Sequence, residues 1–202
     1  MPSTSLTARV LWIAAVLVSA KVANAEPPNE AAPDQPRQHD GTYLRVAGGG
    51  GVLGIGSNES DTPTTDVYGS AFTLSLDYGP TILPGLASGI GLKLVHAPEA
   101  KADPGGQEIP ATLVLGGAFF DYFPDPGGGF HVGGRVGPAV SAQRKHEVHA
   151  GAGAGIFVGW DQFVSDDWSV GALVHGGTAF GIGEDETLVA RTVTLELSLL
   201  WN

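Results

Sequence analysis

The sequence predicts an all-β protein, an eight-stranded antiparallel up-and-down transmembrane β-barrel. Three observations favour this fold class: apolar and polar side chains alternate, connections alternate between short and long, and aromatic residues collect at one end of the predicted strands. The last segment shows the alternation most clearly, with Val193, Leu195, Leu197, Leu199 and Trp201 separated by Thr192, Thr194, Glu196 and Ser198.

The first 25 residues are typical of a secretory signal peptide. Arg9 precedes an apolar run over 10–20, and Ala23-Asn24-Ala25 has the small-x-small form of a cleavage site. That run is about half the ~20 residues that a spanning helix needs, so no transmembrane helix is expected. Residues 26–39 are rich in proline and predict a periplasmic lead-in, which leaves 40–202 for one barrel domain.

Composition excludes several kinds of site. The chain has no cysteine, so disulfides and thiolate metal ligands are excluded. Its formal charge is -11; without Arg9 and Lys21, eight basic residues remain against 21 acidic ones, which gives -13. Nucleic acid is therefore not an expected partner.

Eight segments with a period of two follow the lead-in, and each is near the ~10 residues that a tilted membrane strand requires. Glycine makes up 31 of the 202 residues and lies inside nearly every segment, which disfavours helices. The predicted strands are 41–56, 69–79, 86–97, 111–123, 129–142, 151–164, 168–182 and 188–202.

The connections between these strands alternate between short and long. Compact links are predicted over 79–85, 124–127 and 165–167, while longer polar links lie at 57–68, 98–110, 143–150 and 183–187. Outer-membrane barrels have short periplasmic turns and longer extracellular loops, so both termini are expected on the periplasmic side.

Aromatic residues at the short-turn ends of six strands predict a girdle at the membrane interface. By parity all six point outward: Tyr78, Tyr122, Phe130, Trp160, Trp168 and Trp201.

The same parity turns the charged residues near the middle of the strands inward. This placement is favoured because an Arg or Lys on the lipid face at mid-membrane would destabilise the barrel by about 2 to 4 kcal/mol. The predicted lumen network is Arg45, Asp77, Lys93, Asp121, Arg135, Asp161 and Glu196, with His131 and His175. Because eight strands enclose only enough room for side chains, a charged plug is expected, with Glu196 paired to one of the three cations. An inward Asp121 also turns Leu113, Leu115 and Phe119 inward, which predicts either a bulge or an apolar layer in the lumen.

At this point the chain resembles the small eight-stranded outer-membrane barrels, the group that includes OmpX, the OmpA transmembrane domain and OmpW-like proteins. The resemblance covers about residues 40–202 and depends on the signal sequence, strand count, loop asymmetry and aromatic belt. It implies a Gram-negative outer-membrane location and a partner in the barrel assembly machinery, which recognises an aromatic residue at the end of the last strand. Here Trp201 is followed by Asn202.

The sequence does not indicate an enzyme, a cofactor or a metal site. Lipid A deacylases among such barrels carry a His-x-Ser pair, and this sequence has none. Residues 49–54 match the letters of a dinucleotide fingerprint, but no helix start follows them. His146 and His149 supply two ligands at most and are expected in a solvated loop.

Three cations are predicted to contact the phosphates of lipopolysaccharide: Arg144, Lys145 and Arg191. The sequence thus predicts a non-enzymatic integral barrel that presents surface loops, in a structural or interaction role. Two alternatives stay open. One is a narrow channel for small or hydrophobic solutes, through gaps beside inward glycines such as Gly91, Gly133, Gly155 and Gly171. The other is a secreted soluble ligand-binding barrel, which the outward Leu195, Leu197 and Leu199 argue against.

Overall fold

A computed structural model describes residues 38–39, 41–57, 66–103, 105–143, 148–182 and 187–202. The predicted signal peptide and nearly all of the lead-in lie outside them. Within the described residues, no helix is long and apolar enough to cross a membrane. The strands are β1 Thr42–Ser57, β2 Asp66–Leu83, β3 Leu86–Ala97, β4 Lys101–Asp103, β5 Ala111–Tyr122, β6 Phe130–Gln143, β7 Val148–Phe163, β8 Trp168–Ile182 and β9 Thr187–Trp201.

Eight of these strands form a closed antiparallel barrel, because β1 pairs with both β2 and β9. The remaining strand, β4, pairs only with the first residues of β2. Each long strand has one apolar outward face and one inward face, so closure leaves no long unpaired edge. The predicted fold class is confirmed.

The pairing register fixes the geometry of the barrel. The row of outward residues that starts at Tyr78 crosses every strand once and returns to β2 at Tyr68. Its members are Tyr78, Ile90, Ala118, Val136, Ala154, Thr178, Arg191, Gly54 and Tyr68. The row therefore returns to β2 ten residues from its starting point, which gives the barrel a shear number of ten. Eight strands with this shear tilt by about 40° from the barrel axis, within the range of membrane barrels.

The predicted strands match the structure best where turn residues follow at once, as at 86–97 and 168–182. The second strand is longer than expected, since β2 continues through Pro80 to Leu83 and only Pro84 and Gly85 form the turn. The predicted link at 79–85 is therefore wrong. Pro80 lies directly opposite Thr42, and Thr81 still donates its backbone hydrogen bond to Gly41, so proline does not end the strand.

The predicted loop over 98–110 also contains a short strand. Two backbone hydrogen bonds fold this segment back on itself: Ala102 N–H donates to Gln107 O, and Ile109 N–H donates to Ala100 O. Ala100 and Ala102 are buried. The segment is therefore packed rather than a fully solvated polar loop.

The register of β5 decides between the two alternatives for the fourth predicted strand, a bulge or an apolar layer in the lumen. Pairing of β5 with β3 keeps one register along the whole strand, and its pairing with β6 has the same offset on both sides of Gly116 and Gly117. Leu113, Leu115 and Phe119 are buried. The strand thus contributes an apolar layer to the lumen without a bulge.

Candidate functional site

The interior of the barrel is layered along its axis. At the short-turn end, a buried apolar cluster contains Tyr43, Ala87, Phe119, Phe123 and Leu200. His39 closes this end: its ring stacks on Phe123 at 3.8 Å and on Phe163 at 4.5 Å between centroids. Its backbone N–H donates to Pro126 O. Burial lowers the pKa of His39 from its ordinary value of 6.5, and a hydrogen bond to Asn202 opposes that effect.

Above this floor, Arg45 forms the first charged cluster. Its Nη2 lies 2.8 Å from Asp121 Oδ2 and 2.9 Å from Asp161 Oδ2. His131 Nδ1 lies 2.8 Å from the other oxygen of Asp121, and the Tyr43 hydroxyl donates to Oδ2 of the same carboxylate at 2.6 Å. Arg45, Asp121 and His131 are at most 1% exposed. One guanidinium thus joins carboxylates from β5 and β7 across the lumen.

Two further ion pairs complete the charged layer. Arg135 on β6 pairs with Asp77 on β2, and Lys93 on β3 pairs with Glu196 on β9. Two hydroxyl groups donate further hydrogen bonds to the Glu196 carboxylate: Thr194 donates to Oε1 at 2.6 Å, and Ser75 donates to Oε2 at 3.1 Å. Buried pairs of this kind need such additional hydrogen bonds, because the loss of water around two charges costs several kcal/mol.

Aromatic rings run through the charged layer along the barrel. The ring of Phe123 stacks on His131 at 4.7 Å, His131 meets the edge of Phe157 at 5.9 Å, and Phe157 stacks on His175 at 6.3 Å. His175 and Lys93 line a cavity of about 10 Å³, which is room for about one water molecule. At this level of the described barrel, the ion pairs and stacked rings thus leave a cavity that holds about one water molecule.

The loop-side half of the lumen is largely apolar, although buried Ser141 and His149 also line it; the sequence predicted an apolar layer for one strand only. Its buried side chains form a single cluster that includes Leu53, Ile55, Val67, Val95, Leu113, Leu115 and Leu188 with many alanines. Ala100 and Ala102 of the β4 segment belong to the same cluster, and Ile109 packs against it. His149, expected in a solvated loop, is buried at the start of β7. His146 lies outside the described residues.

Gaps beside the inward glycines, the basis of the channel alternative, are filled by neighbouring side chains. A Cβ atom added to Gly91 would lie 2.7 Å from Arg135 Nε, and one added to Gly133 would lie 2.7 Å from Phe157. At Gly155 the same atom would meet His175 at 2.6 Å, and at Gly171 it would overlap the Asp161 carboxylate. The glycines make room for the charged and aromatic side chains of the lumen.

The aromatic residues proposed for the girdle lie on the outer wall near the short turns. Five of them are substantially exposed, namely Tyr78, Tyr122, Phe130, Trp160 and Trp168, while Trp201 is partly buried. Leu44 lies between Tyr78 and Trp201 in the pairing, and Trp201 lies opposite Trp168. The register thus places three of the six in one row across the wall, with Trp201 and Trp168 on adjacent strands and Tyr78 separated from them by β1.

Of the three cations proposed to contact lipopolysaccharide, the structure describes one. Arg191 is exposed on the outer wall, opposite Gly54 of β1 and Thr178 of β8. Arg144 and Lys145 lie outside the described residues. Among the described residues, no group of three or more His, Cys, Asp or Glu side chains is placed to hold a metal ion.

Sequence reasoning missed the residues that close the short-turn end. His39 falls in the predicted lead-in, and Phe123 and Phe163, which have the same parity as the inward Asp121 and Asp161, were not identified as its partners. The signal available was limited to three aromatic or imidazole rings beside predicted turns.

Neither a protein-family model nor a curated protein sequence matches the chain. Solved structures do show a likeness. Outer membrane protein OprG from Pseudomonas aeruginosa is 10% identical, with 83% of this chain and 100% of that chain covered at a TM-score of 0.47. Neisserial surface protein A is 10% identical, with 78% and 96% covered at 0.49. Outer membrane protein AlkL, solved in lipid bilayers, is 12% identical, with 89% and 97% covered at 0.47. By its own strand count, closure and outward apolar face, the chain has the fold of the small eight-stranded outer-membrane β-barrels.

Proposed function

We propose that the protein is a non-enzymatic integral barrel of the outer membrane that carries surface loops on a filled, non-conducting cylinder. The observation that supports this most directly is the combination of an apolar outer wall with an ion-paired interior. Leu197, Ile156 and Ile90 are 73%, 73% and 72% exposed on the outer wall, while Arg45, Lys93 and Glu196 are at most 2% exposed inside. Hydrocarbon solvates such a wall and water does not.

The same contrast disfavours a secreted soluble barrel. A soluble protein rarely exposes an apolar surface of more than a few hundred Å², whereas here bulky apolar side chains face outward on every barrel strand. Extraction of the protein from membranes by salt alone would contradict the proposal. Retention until detergent is added, together with a folded band that shifts on heating, is the expected result.

The filled lumen supports a structural or interaction role over conduction. Four ion pairs, the ring column and the apolar loop-side cluster occupy its length. We expect purified protein in planar bilayers to show no single-channel steps. A matched pair of variants tests this: Arg135→Ala removes a side chain that crosses the lumen, whereas Tyr122→Ala removes one of similar bulk from the outer wall. Steps in the unchanged protein would overturn the proposal.

Two further parts of the proposal concern orientation and chemistry. Short turns and both termini would face the periplasm, and protease protection of residues 26–38 in intact cells tests that arrangement. Among the described residues, the group that most resembles a catalytic triad is His131, Asp121 and Ser198. The Ser198 hydroxyl donates to Asp161 at 3.0 Å instead of to an imidazole, and all three residues are buried, so this group does not support an enzyme.

A second candidate is a route for hydrophobic solutes into the loop-side half of the lumen. The observation that favours it is the apolar cluster there, covered by Ala100 and Ala102. A double substitution of these two alanines by serine would loosen the cover at little steric cost. Uptake of a hydrophobic dye that rises in the variant and is absent in cells without the protein would favour this route over the structural role.

A further inference from the structure

The outer wall carries a groove along β1. Outward positions of this strand hold Gly48, Gly50 and Gly54, and the register places a large exposed side chain on each side of every one of them. Gly48 lies between Leu74 and Leu197, Gly50 between Phe72 and Leu195, and Gly54 between Tyr68 and Arg191. The floor is backbone at these three glycines, and the walls are the side chains of β2 and β9. Val52, which is 55% exposed, stands between Gly50 and Gly54 and divides the groove into a lower part at Gly48 and Gly50 and an upper part at Gly54.

Packing within the barrel does not require these glycines. A Cβ atom added at Gly50 would lie 3.5 Å from its nearest neighbour, Ala71 O, and one added at Gly54 would have nothing within 4 Å. The inward glycines of the same strand differ: a Cβ atom at Gly49 would lie 2.7 Å from Glu196 Cα. Space above the outward glycines is therefore open, and the walls of the groove stand free around it.

The upper part of the groove, above Val52, ends at Arg191, a cation near the edge of the apolar band. Arg191 precedes Trp201 by ten residues, and ten residues of a strand tilted by about 40° rise by about 25 Å, the height of the apolar band of a membrane barrel. Outward residues on other strands turn polar at about the same height: Ser70, His96 and Thr112. Arg191 therefore lies near the loop-side boundary of the lipid-facing surface, which on the neighbouring strand β8 extends to the exposed Phe180.

Within the described part of the chain, Lys101 is the other exposed cation near this boundary. It lies opposite Tyr68 on β4, but Glu108 flanks it on its other side in a β-bridge. Among the described residues, no acidic side chain forms an ion pair with Arg191. The positive charge at the mouth of the groove therefore comes from Arg191, beside the Tyr68 ring, which is 56% exposed.

We propose that this groove binds one acyl chain of a phosphorylated glycolipid of the outer leaflet, with a phosphate of its head group on Arg191. The inference depends on the proposed membrane location. An acyl chain fits the apolar walls formed by Phe72, Leu74, Leu195 and Leu197, and a guanidinium matches the paired oxygens of a phosphate. Tyr68 offers a flat face and a hydroxyl to a sugar at the same level.

The test uses the full mature barrel, refolded in detergent and shown to be folded by its heat-modifiable band. Lipid A is added, and native mass spectrometry counts the lipid molecules retained by each barrel. Gly50→Leu fills the floor of the groove. Its control, Gly176→Leu, adds the same side chain at an outward glycine of β8 that also has nothing within 4 Å of an added Cβ. We expect about tenfold weaker retention for Gly50→Leu and no change for Gly176→Leu.

The charged contact is tested by a second pair of variants. Arg191→Gln is expected to weaken retention about three- to tenfold, and Arg191→Lys to preserve most of it. Lipid A without its phosphates should bind the unchanged barrel as weakly as lipid A binds Arg191→Gln. Phosphatidylethanolamine should compete poorly with lipid A.

Retention that is equal in Gly50→Leu and Gly176→Leu would overturn the groove as the binding site. Equal retention of lipid A and phosphatidylethanolamine would overturn the glycolipid assignment. Should Gly50→Leu fail to fold, Gly54→Val fills the same groove near its mouth and gives the same two outcomes. A barrel that gives no folded, detergent-dependent band would instead contradict the membrane location, so the two failures are distinguishable.

Discussion

Nδ1 of His39 donates a hydrogen bond to Oδ1 of Asn202, 3.2 Å away, and so joins the two ends of the described barrel across 163 residues of sequence. Asn202 is held from its other side, because its backbone N–H donates to Asp167 O at 2.9 Å. The short-turn end of the barrel is thus closed by Asn202, which follows β9, and by the ring of His39, which precedes β1.

This arrangement predicts a loss of stability in mild acid. Burial holds the pKa of His39 below 6.5 in the folded protein, so the unfolded chain binds the proton more readily. The contribution of neutral His39 is complete above about pH 6.5 and decreases as the pH falls towards the folded pKa. Urea unfolding at pH 7.5 and pH 5.5 measures the change. His39→Phe keeps a stacking ring without a titrating group, and an equal loss in that variant would assign the effect to other groups.

Glu196→Gln is expected to destabilise the barrel by about 3 kcal/mol, because Lys93 would remain buried without its partner. The temperature at which the folded band converts to the unfolded band measures this loss. Ser75→Ala is the matched control, since it removes one hydrogen bond to the same carboxylate and should cost about 1 kcal/mol. Replacement of both partners, Lys93→Met with Glu196→Gln, should recover most of the stability. Unchanged heat resistance in Glu196→Gln would count against the pairing as a stabilising contact.

Arg45→Met should lower the free energy of unfolding by about 3 to 5 kcal/mol, because it leaves Asp121 and Asp161 buried around an uncharged side chain. This loss is larger than the loss expected for Ser75→Ala. The addition of Asp161→Asn to Arg45→Met removes one of the two carboxylates and should restore part of the loss. A double-mutant cycle by urea unfolding gives the coupling energy between residues 45 and 161. A coupling energy near zero would show that the 2.9 Å contact does not contribute to stability.

Much of the barrel wall follows from the sequence, because lipid and a filled lumen impose opposite polarity on alternate residues. That constraint places Leu195 outward and Glu196 inward without knowledge of any partner strand. Parity does not provide the register between strands. It therefore could not predict that Glu196 pairs with Lys93 in preference to Arg45 or Arg135. Parity also says nothing of a residue outside the strands, so the stacking of His39 on Phe123 and Phe163 could not be predicted.

The apolar loop-side half of the lumen was harder to predict for a different reason. Inward alanines and leucines such as Ala190 and Leu113 look the same in sequence as outward ones, and only an ionisable residue on the same strand identifies the face. On β9, Glu196 gives that reference for Ala190 six residues away. The segment that covers this half, around Ala100, lies in a loop where no period applies.

Two adjacent glycines of β1 give the sharpest test of the register. At Gly49 a Cβ atom would lie 2.7 Å from Glu196 Cα, and the obstacle is backbone of β9 that cannot move aside. At Gly48, which faces outward, the nearest atom would be Thr73 O at 3.6 Å, an ordinary contact. Gly49→Ala is therefore expected to cost about 1 to 3 kcal/mol and Gly48→Ala close to nothing, as measured by urea unfolding of the folded band. Because a slip of one residue between β1 and β9 would exchange the faces of the two glycines, the opposite order of stabilities would show that the seam of the barrel closes in another register.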